Sequence, residues 1–129
     1  MLKGISPSLA VINDRMLAEA KDQREFFTVK EMDIVKHVPM DEILFFETSG
    51  RTHRIELHGF QDRFDFIGSM RELEKQLGGR FLRVHRAYLV NVEQIREVDL
   101  KHRELLMKNG ERCLISRNVK GELLNKILY

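Results

Sequence analysis

Three short basic segments carry the side chains with the most chemistry to offer: Arg51-Thr52-His53-Arg54, His85-Arg86, and the arginine of Ser116-Arg117-Asn118-Val119. A guanidinium is a permanently charged planar fork that matches a phosphate, or the O6/N7 edge of guanine, with two parallel hydrogen bonds, and an imidazole can donate to either. The middle segment lies inside Phe81-Leu82-Arg83-Val84-His85-Arg86-Ala87-Tyr88-Leu89-Val90-Asn91. There Phe81, Leu82, Val84, Tyr88, Leu89 and Val90 require burial, while Arg83, His85 and Arg86 must keep their polar ends in water or on a partner. A His-Arg step at the tip of a buried ribbon is therefore presented outward. Each basic residue alone reads as an ordinary surface charge. Three such groups at strand or helix ends in one small chain point to an anionic partner, nucleic acid first.

Other chemistries are poorly served. His53 and His58 fall on opposite faces of a strand by parity, with no second cysteine to join them, so no metal site is expected. There is no G-x-S-x-G elbow, no Walker loop and no Gly-rich dinucleotide turn. The carboxylates are scattered and read as solvated strand and helix faces. Cys113 sits between Arg112 and Leu114-Ile115, which suits a buried strand thiol, and a lone cysteine agrees with a reducing cytoplasm. No catalysis and no cofactor are expected.

The elements that must hold these segments are mostly strands. Phe26–Lys30, Ile34–Val38, Glu42–Glu47, His53–His58 and Arg63–Ile67 are β-branched, aromatic or alternating runs separated by turn residues such as Pro39 and Ser49-Gly50. Ser69-Met70-Arg71-Glu72 is a capping box that opens a short helix with Met70, Leu73 and Leu77 on one face, and Gly78-Gly79 is expected to close it in a left-handed conformation. Strands resume over Arg80–Val84, Tyr88–Val92, Ile95–Leu100, Glu104–Met107 and Arg112–Ile115, with Asn109-Gly110 marking a hairpin. Helical spacing appears at both ends: Leu9, Ile12, Met16, Leu17 and Ala20 after a Ser6-Pro7 start, and Val119, Leu123, Leu124, Ile127 and Leu128 at the close. The internal helix has mixed charge and no helix-turn-helix partner, so any DNA reading must come from loops.

The 129 residues suit one soluble domain, without an apolar run long enough to span a membrane and without an apparent signal peptide. Net charge is only +2, but its distribution is uneven. Residues 1–50 hold six Lys/Arg against nine Asp/Glu, whereas residues 79–121 hold ten against five. A basic second half fits a face that meets an anion.

Taken together, Glu42-Ile43-Leu44-Phe45-Phe46-Glu47, Thr52-His53-Arg54, the Phe-x-Arg-x-His-Arg-x-Tyr-x-Val-Asn block of residues 81–91, and Ser116-Arg117 resemble the LytTR-type DNA-binding domain over residues 25–129. The resemblance implies a mostly β fold of stacked short antiparallel sheets, with one short internal helix and helices at both termini. It implies the output half of a bacterial two-component response regulator, of the kind that governs quorum sensing, bacteriocins or virulence. Such domains bind paired direct repeats in double-stranded DNA, with loops entering successive grooves. Carried over, His53, Arg54, Arg86 and Arg117 become the base readers, and Arg51, Arg83, His85 and Lys120 the phosphate contacts. Residues 1–24 then look like a linker helix after an upstream receiver domain, so that the chain is a fragment or a stand-alone form. A homodimer on DNA, the receiver and a sensor kinase are the implied partners, without a membrane. Two rivals remain: a protein-interaction module using the same basic loops, and a small hydrolase using His85 or His53 with a nearby carboxylate.

Overall fold

The computed structural model describes residues 24–129, so residues 7–23 of the expected amphipathic helix lie outside what is described. The strands run β1 (Phe26–Glu31), β2 (Ile34–Pro39), β3 (Ile43–Thr48), β4 (Arg54–Gly59), β5 (Arg63–Ile67), β6 (Phe81–His85), β7 (Tyr88–Asn91), β8 (Ile95–Asp99), β9 (Glu104–Met107) and β10 (Arg112–Leu114). Helix α1 (Met70–Leu77) lies between β5 and β6, and α2 (Lys120–Leu128) follows a single 3-10 turn at Arg117–Val119. Every strand expected from apolar patterning is present. They form three antiparallel sheets: β1-β2, β5-β4-β3-β7-β6, and β10-β9-β8.

The five-stranded sheet is the middle layer, and both its faces are covered. One face packs Phe46, Ile55, Leu57, Phe66, Phe81 and Leu89 against Phe27 and Val38 of the first hairpin and Met70, Leu73 and Leu77 of α1. The other packs Phe45, Leu82, Val84 and Val90 against Leu105, Met107, Cys113, Ile115 and Leu123 from the three-stranded sheet and α2. Strand β3 serves both through a bulge. Its pairing with β4 slips between Ile43 and Phe45, so Leu44 and Phe45 both join the second core while Ile43 and Phe46 serve the first. That is why four consecutive apolar residues, each at most 2% exposed, occur in one strand.

Local signals explain the connections. Ser69 Oγ accepts the Glu72 N–H at 3.2 Å and starts α1. The expected left-handed close at Gly78-Gly79 does not occur: Gly78 has φ −60 and simply extends the helical turn. The left-handed glycine is Gly110, φ +94, third residue of the loop joining β9 to β10. In α2 only Leu123 of the expected apolar positions is buried, and Ile127 and Leu128 face outward. Asn91 is fully buried, and its Nδ2 donates to the carbonyls of Met40 and Ile43 at 3.3 and 2.9 Å, satisfying the irregular turn before β3.

Strand β1 is tied to the middle sheet by charge. Arg54 Nη2 donates to Glu31 Oε1 and Asp65 Oδ1, each at 3.1 Å, and Glu31 Oε2 accepts the Ile67 N–H at 2.7 Å. The Ile67 amide first, and Arg54 second, hold the Glu31 carboxyl below its ordinary 4.5; Arg54 holds Asp65 below its ordinary 3.8. Lowered carboxyl values contribute stability that is complete above the ordinary range and is lost as pH falls through it to the depressed folded values. Thermal denaturation between pH 7 and pH 3 should therefore show an acid loss that Asp65→Asn makes shallower. Parallel curves for the two proteins would remove the clamp from the account.

Candidate nucleic-acid interface

The loops at one end of the middle sheet are assembled by backbone hydrogen bonds. Because β3 and β7 pair antiparallel, with Glu47 opposite Tyr88, the β3–β4 loop and the β6–β7 turn leave the sheet at the same end. The Thr48 N–H donates to the Ala87 carbonyl at 3.1 Å and joins them. The Ser116 N–H then donates to the Val84 carbonyl at 2.7 Å, and the Ile115 N–H to the Arg103 carbonyl at 2.9 Å. One chain of contacts thus links residues 48–54, 84–87, 115–117 and the β8–β9 turn, far apart in sequence.

Each loop offers basic side chains. Arg51 and His53 are exposed at the first loop. His53 has φ +60, a left-handed conformation that a β-carbon makes costly, held because its carbonyl accepts the Gly68 N–H at 3.0 Å and Ser49 closes on Arg54 and Arg51. Arg86 is exposed at the β6–β7 turn, where a pairing slip between Arg83 and His85 re-aims the strand end. The Ala87 N–H donates to His85 Nδ1 at 3.1 Å, so the neutral ring carries its proton on Nε2 and presents a donor. Arg117 and Lys120 are exposed at the start of the C-terminal helical segment.

Two adjoining clefts run between these groups. One, about 290 Å³, is lined by Lys101, Arg103, Arg117 and Lys120 among others, and the next, about 350 Å³, by His85, His102, Arg103 and Arg117. Lys101-His102-Arg103 was not among the residues singled out from the sequence, although a basic tripeptide in a turn was its available signal. Asp99 organises that turn: its carboxylate accepts the His102 N–H at 3.0 Å and lies 2.9 Å from His102 Nδ1, and the backbone bond foremost lowers the Asp99 carboxyl value. Arg103 is left-handed there, φ +54.

Two of the expected contacts have partners within the fold. Arg54, expected among the base readers, is the first residue of β4, is half-buried, and has its guanidinium on Glu31 and Asp65. Arg83, expected as a phosphate contact, donates Nη2 to the Arg86 carbonyl at 2.7 Å and Nη1 to Glu74 at 3.3 Å, bracing the β6–β7 turn. Neither His53 nor His85 has a carboxylate partner among the described residues, which leaves the hydrolase arrangement without its base pair. Phe66 and Phe81 are buried and Phe64 and Tyr88 are half-buried, so no row of aromatic faces is displayed for stacking single-stranded bases. Cys113 is 1% exposed, and burial foremost, with Glu47 and Glu111 nearby, pushes its thiol far up.

Residues 33–128 match the family model described as the LytTr DNA-binding domain. The chain is 41% identical over 85 residues to accessory gene regulator protein A of Staphylococcus epidermidis and, to the same extent, to that of Staphylococcus aureus. Those alignments cover 65% of this chain and 35% of each relative, so the chain spans about a third of the length of the curated relatives it matches. A solved LytTr DNA-binding domain from Bacillus cereus superposes with a TM-score of 0.65 at 26% identity, over 80% of this chain and 95% of that one.

Proposed function

Because this chain belongs to the LytTr DNA-binding domain family, we propose that it binds double-stranded DNA sequence-specifically at paired direct repeats, as the output domain of a bacterial transcriptional regulator. The observation that carries this reading is the convergence of four basic loops at one end of a two-faced core, linked by the Thr48–Ala87, Ser116–Val84 and Ile115–Arg103 hydrogen bonds. A rigid scaffold with donors on its loops can enter successive grooves without a recognition helix. His53, Arg86 and Arg117 read base edges. Arg51 and Lys120, joined by Lys101 and Arg103, neutralise phosphates, and His85 donates to one from Nε2.

The division of labour follows from chemistry. Phosphate contacts supply affinity that is indifferent to sequence and falls with salt, because each neutralised phosphate releases condensed counterions. Base contacts supply the difference between sites. As the family resemblance implies, the regulator it serves carries a receiver domain, answers a sensor kinase of a quorum-sensing type, acts in the cytoplasm and pairs as a homodimer across two repeats. No helix among the described residues is long and apolar enough to cross a membrane.

Selection from a randomised duplex pool, followed by fluorescence-anisotropy titration at several salt concentrations, tests the reading. The expected result is enrichment of two direct-repeat half-sites about one helical turn apart. Log affinity should fall linearly with log salt, at a slope of about −0.9 per phosphate neutralised. Salt-sensitive binding without enrichment would reduce the loops to a basic surface. No duplex binding at low salt would replace DNA with an acidic protein partner.

A further inference from the structure

Away from the basic loops, the middle sheet holds a group of side chains that DNA binding does not use. Glu47 on β3 and Glu56 on β4 are direct cross-strand partners, an arrangement that repels unless something positive lies between them. Two residues along β4 on the same face is His58, 3% exposed and stacked on Phe45 with ring centroids 4.2 Å apart. Glu47 Oε1 lies 3.0 Å and Glu56 Oε1 3.5 Å from His58 Nε2. Nevertheless Nε2 makes no hydrogen bond to either carboxylate. The opposite ring nitrogen, Nδ1, is 3.0 Å from Glu111 Oε2 at the start of the β10 strand's hairpin arm.

From this geometry we propose that Glu47, Glu56 and His58 form a binding site for a first-row divalent cation, of which zinc is the best-matched probe. An Nδ1–H donated to Glu111 fixes the tautomer that turns the Nε2 lone pair toward the two carboxylates. That is the supporting arrangement found around metal-bound histidines. The three ligand atoms lie within 4.8 Å of one another. One imidazole nitrogen and two carboxylate oxygens are an accepted zinc donor set, with water completing four-coordination. Arg63 Nε donates to Glu56 Oε2 at 2.9 Å and so leaves Oε1 for the cation. Glu47 and Glu56 are each about one-third exposed, which gives an ion a way in, while the histidine sits beneath them.

A bound cation would neutralise the facing carboxylates and fasten three elements together: β3, β4 and, through Glu111, the hairpin of β9 and β10. Glu47 is one residue from Thr48, whose amide joins the two loops that carry His53 and Arg86. The cation therefore sits at the root of the proposed DNA-reading end. The site itself does not depend on that function.

Isothermal titration of the full chain, stripped with chelator, with zinc should show saturable one-to-one binding. The 15N signal of His58 Nε2 should move to the position of a ligated nitrogen, with Nδ1 keeping its proton. Glu111→Gln leaves all three ligands in place and should weaken binding about 10- to 100-fold. Glu56→Gln, partly exposed and tolerant of an amide, should weaken it by at least as much as that supporting change. Absence of saturable binding would overturn the proposal. So would binding unaffected by Glu56→Gln, or a His58 ring protonated on both nitrogens throughout the titration, which would make the cluster an imidazolium ion pair instead.

Discussion

Replacing Arg117 with alanine should weaken binding to the selected direct-repeat duplex by roughly 5- to 150-fold, the equivalent of about 1–3 kcal/mol for one bidentate arginine–base pair. Binding to a shuffled duplex of equal length should change far less, and the salt slope should change by much less than the roughly 0.9 that loss of one phosphate contact would bring. The reason is positional. Arg117 is exposed at the first residue of the 3-10 turn, in a segment pinned by the Ser116–Val84 and Ile115–Arg103 hydrogen bonds, and it borders both basic clefts. Among the described residues it has no carboxylate partner, in contrast to Arg54 and Arg83, so its fork is available to a base. Anisotropy titrations of both duplexes with parent and variant decide the matter. An equal loss on the two duplexes would demote Arg117 to a phosphate contact, and Lys120→Ala should show that equal-loss pattern.

The contrast among these arginines marks what could and could not be read from the chain. Strand and turn positions were legible throughout residues 26–115, because runs such as Phe26–Lys30 and Glu104–Met107 are bounded by residues that cannot continue a strand. His53, Arg86 and Arg117 lie exposed at element ends, where the strand and turn pattern puts them. Arg54, only one residue beyond His53, was not separable from it by sequence. The left-handed turn at His53 ends the loop there, and the carboxylates that claim Arg54 come from β1 and β5. Lys101 and Arg103 were missed because their place beside Arg117 comes from the β9–β10 register, in which Leu114 faces Glu104 and the Ile115 N–H extends the ladder to the Arg103 carbonyl.

Parity explains the other omission. Alternation along β4 places Ile55 and Leu57 on one face and Glu56 and His58 on the other, and a half-polar face reads as solvated. Nothing local reveals that the β8–β10 sheet covers it, which is how a histidine flanked by carboxylates becomes buried. The capping serine at Ser69 was legible and the expected left-handed glycines at its far end were not, since a helix followed at once by a strand can close without one.

The largest stability loss should come from Phe46→Ala. Phe46 is fully buried in the first core and packs near Phe27, Phe66 and Phe81, with ring centroids at 5.1, 6.1 and 5.5 Å. Removing an aromatic ring from such a position costs about 3–5 kcal/mol, combining lost burial with the cavity that rigid neighbours cannot fill. For a domain of this size that is a large part of total stability. Urea unfolding followed by circular dichroism should show the midpoint moving sharply lower with little change in slope. Phe46 joins the middle sheet to the first hairpin, in the core that also takes the apolar face of α1. The same substitution at exposed Phe60, 46% accessible, should therefore shift the midpoint by no more than a few tenths of that amount. Comparable losses at the two positions would mean that the first core does not hold the layers together as described. A small loss at Phe46 alone would mean that β3, its bulge and the loops it supports are anchored chiefly by the second core.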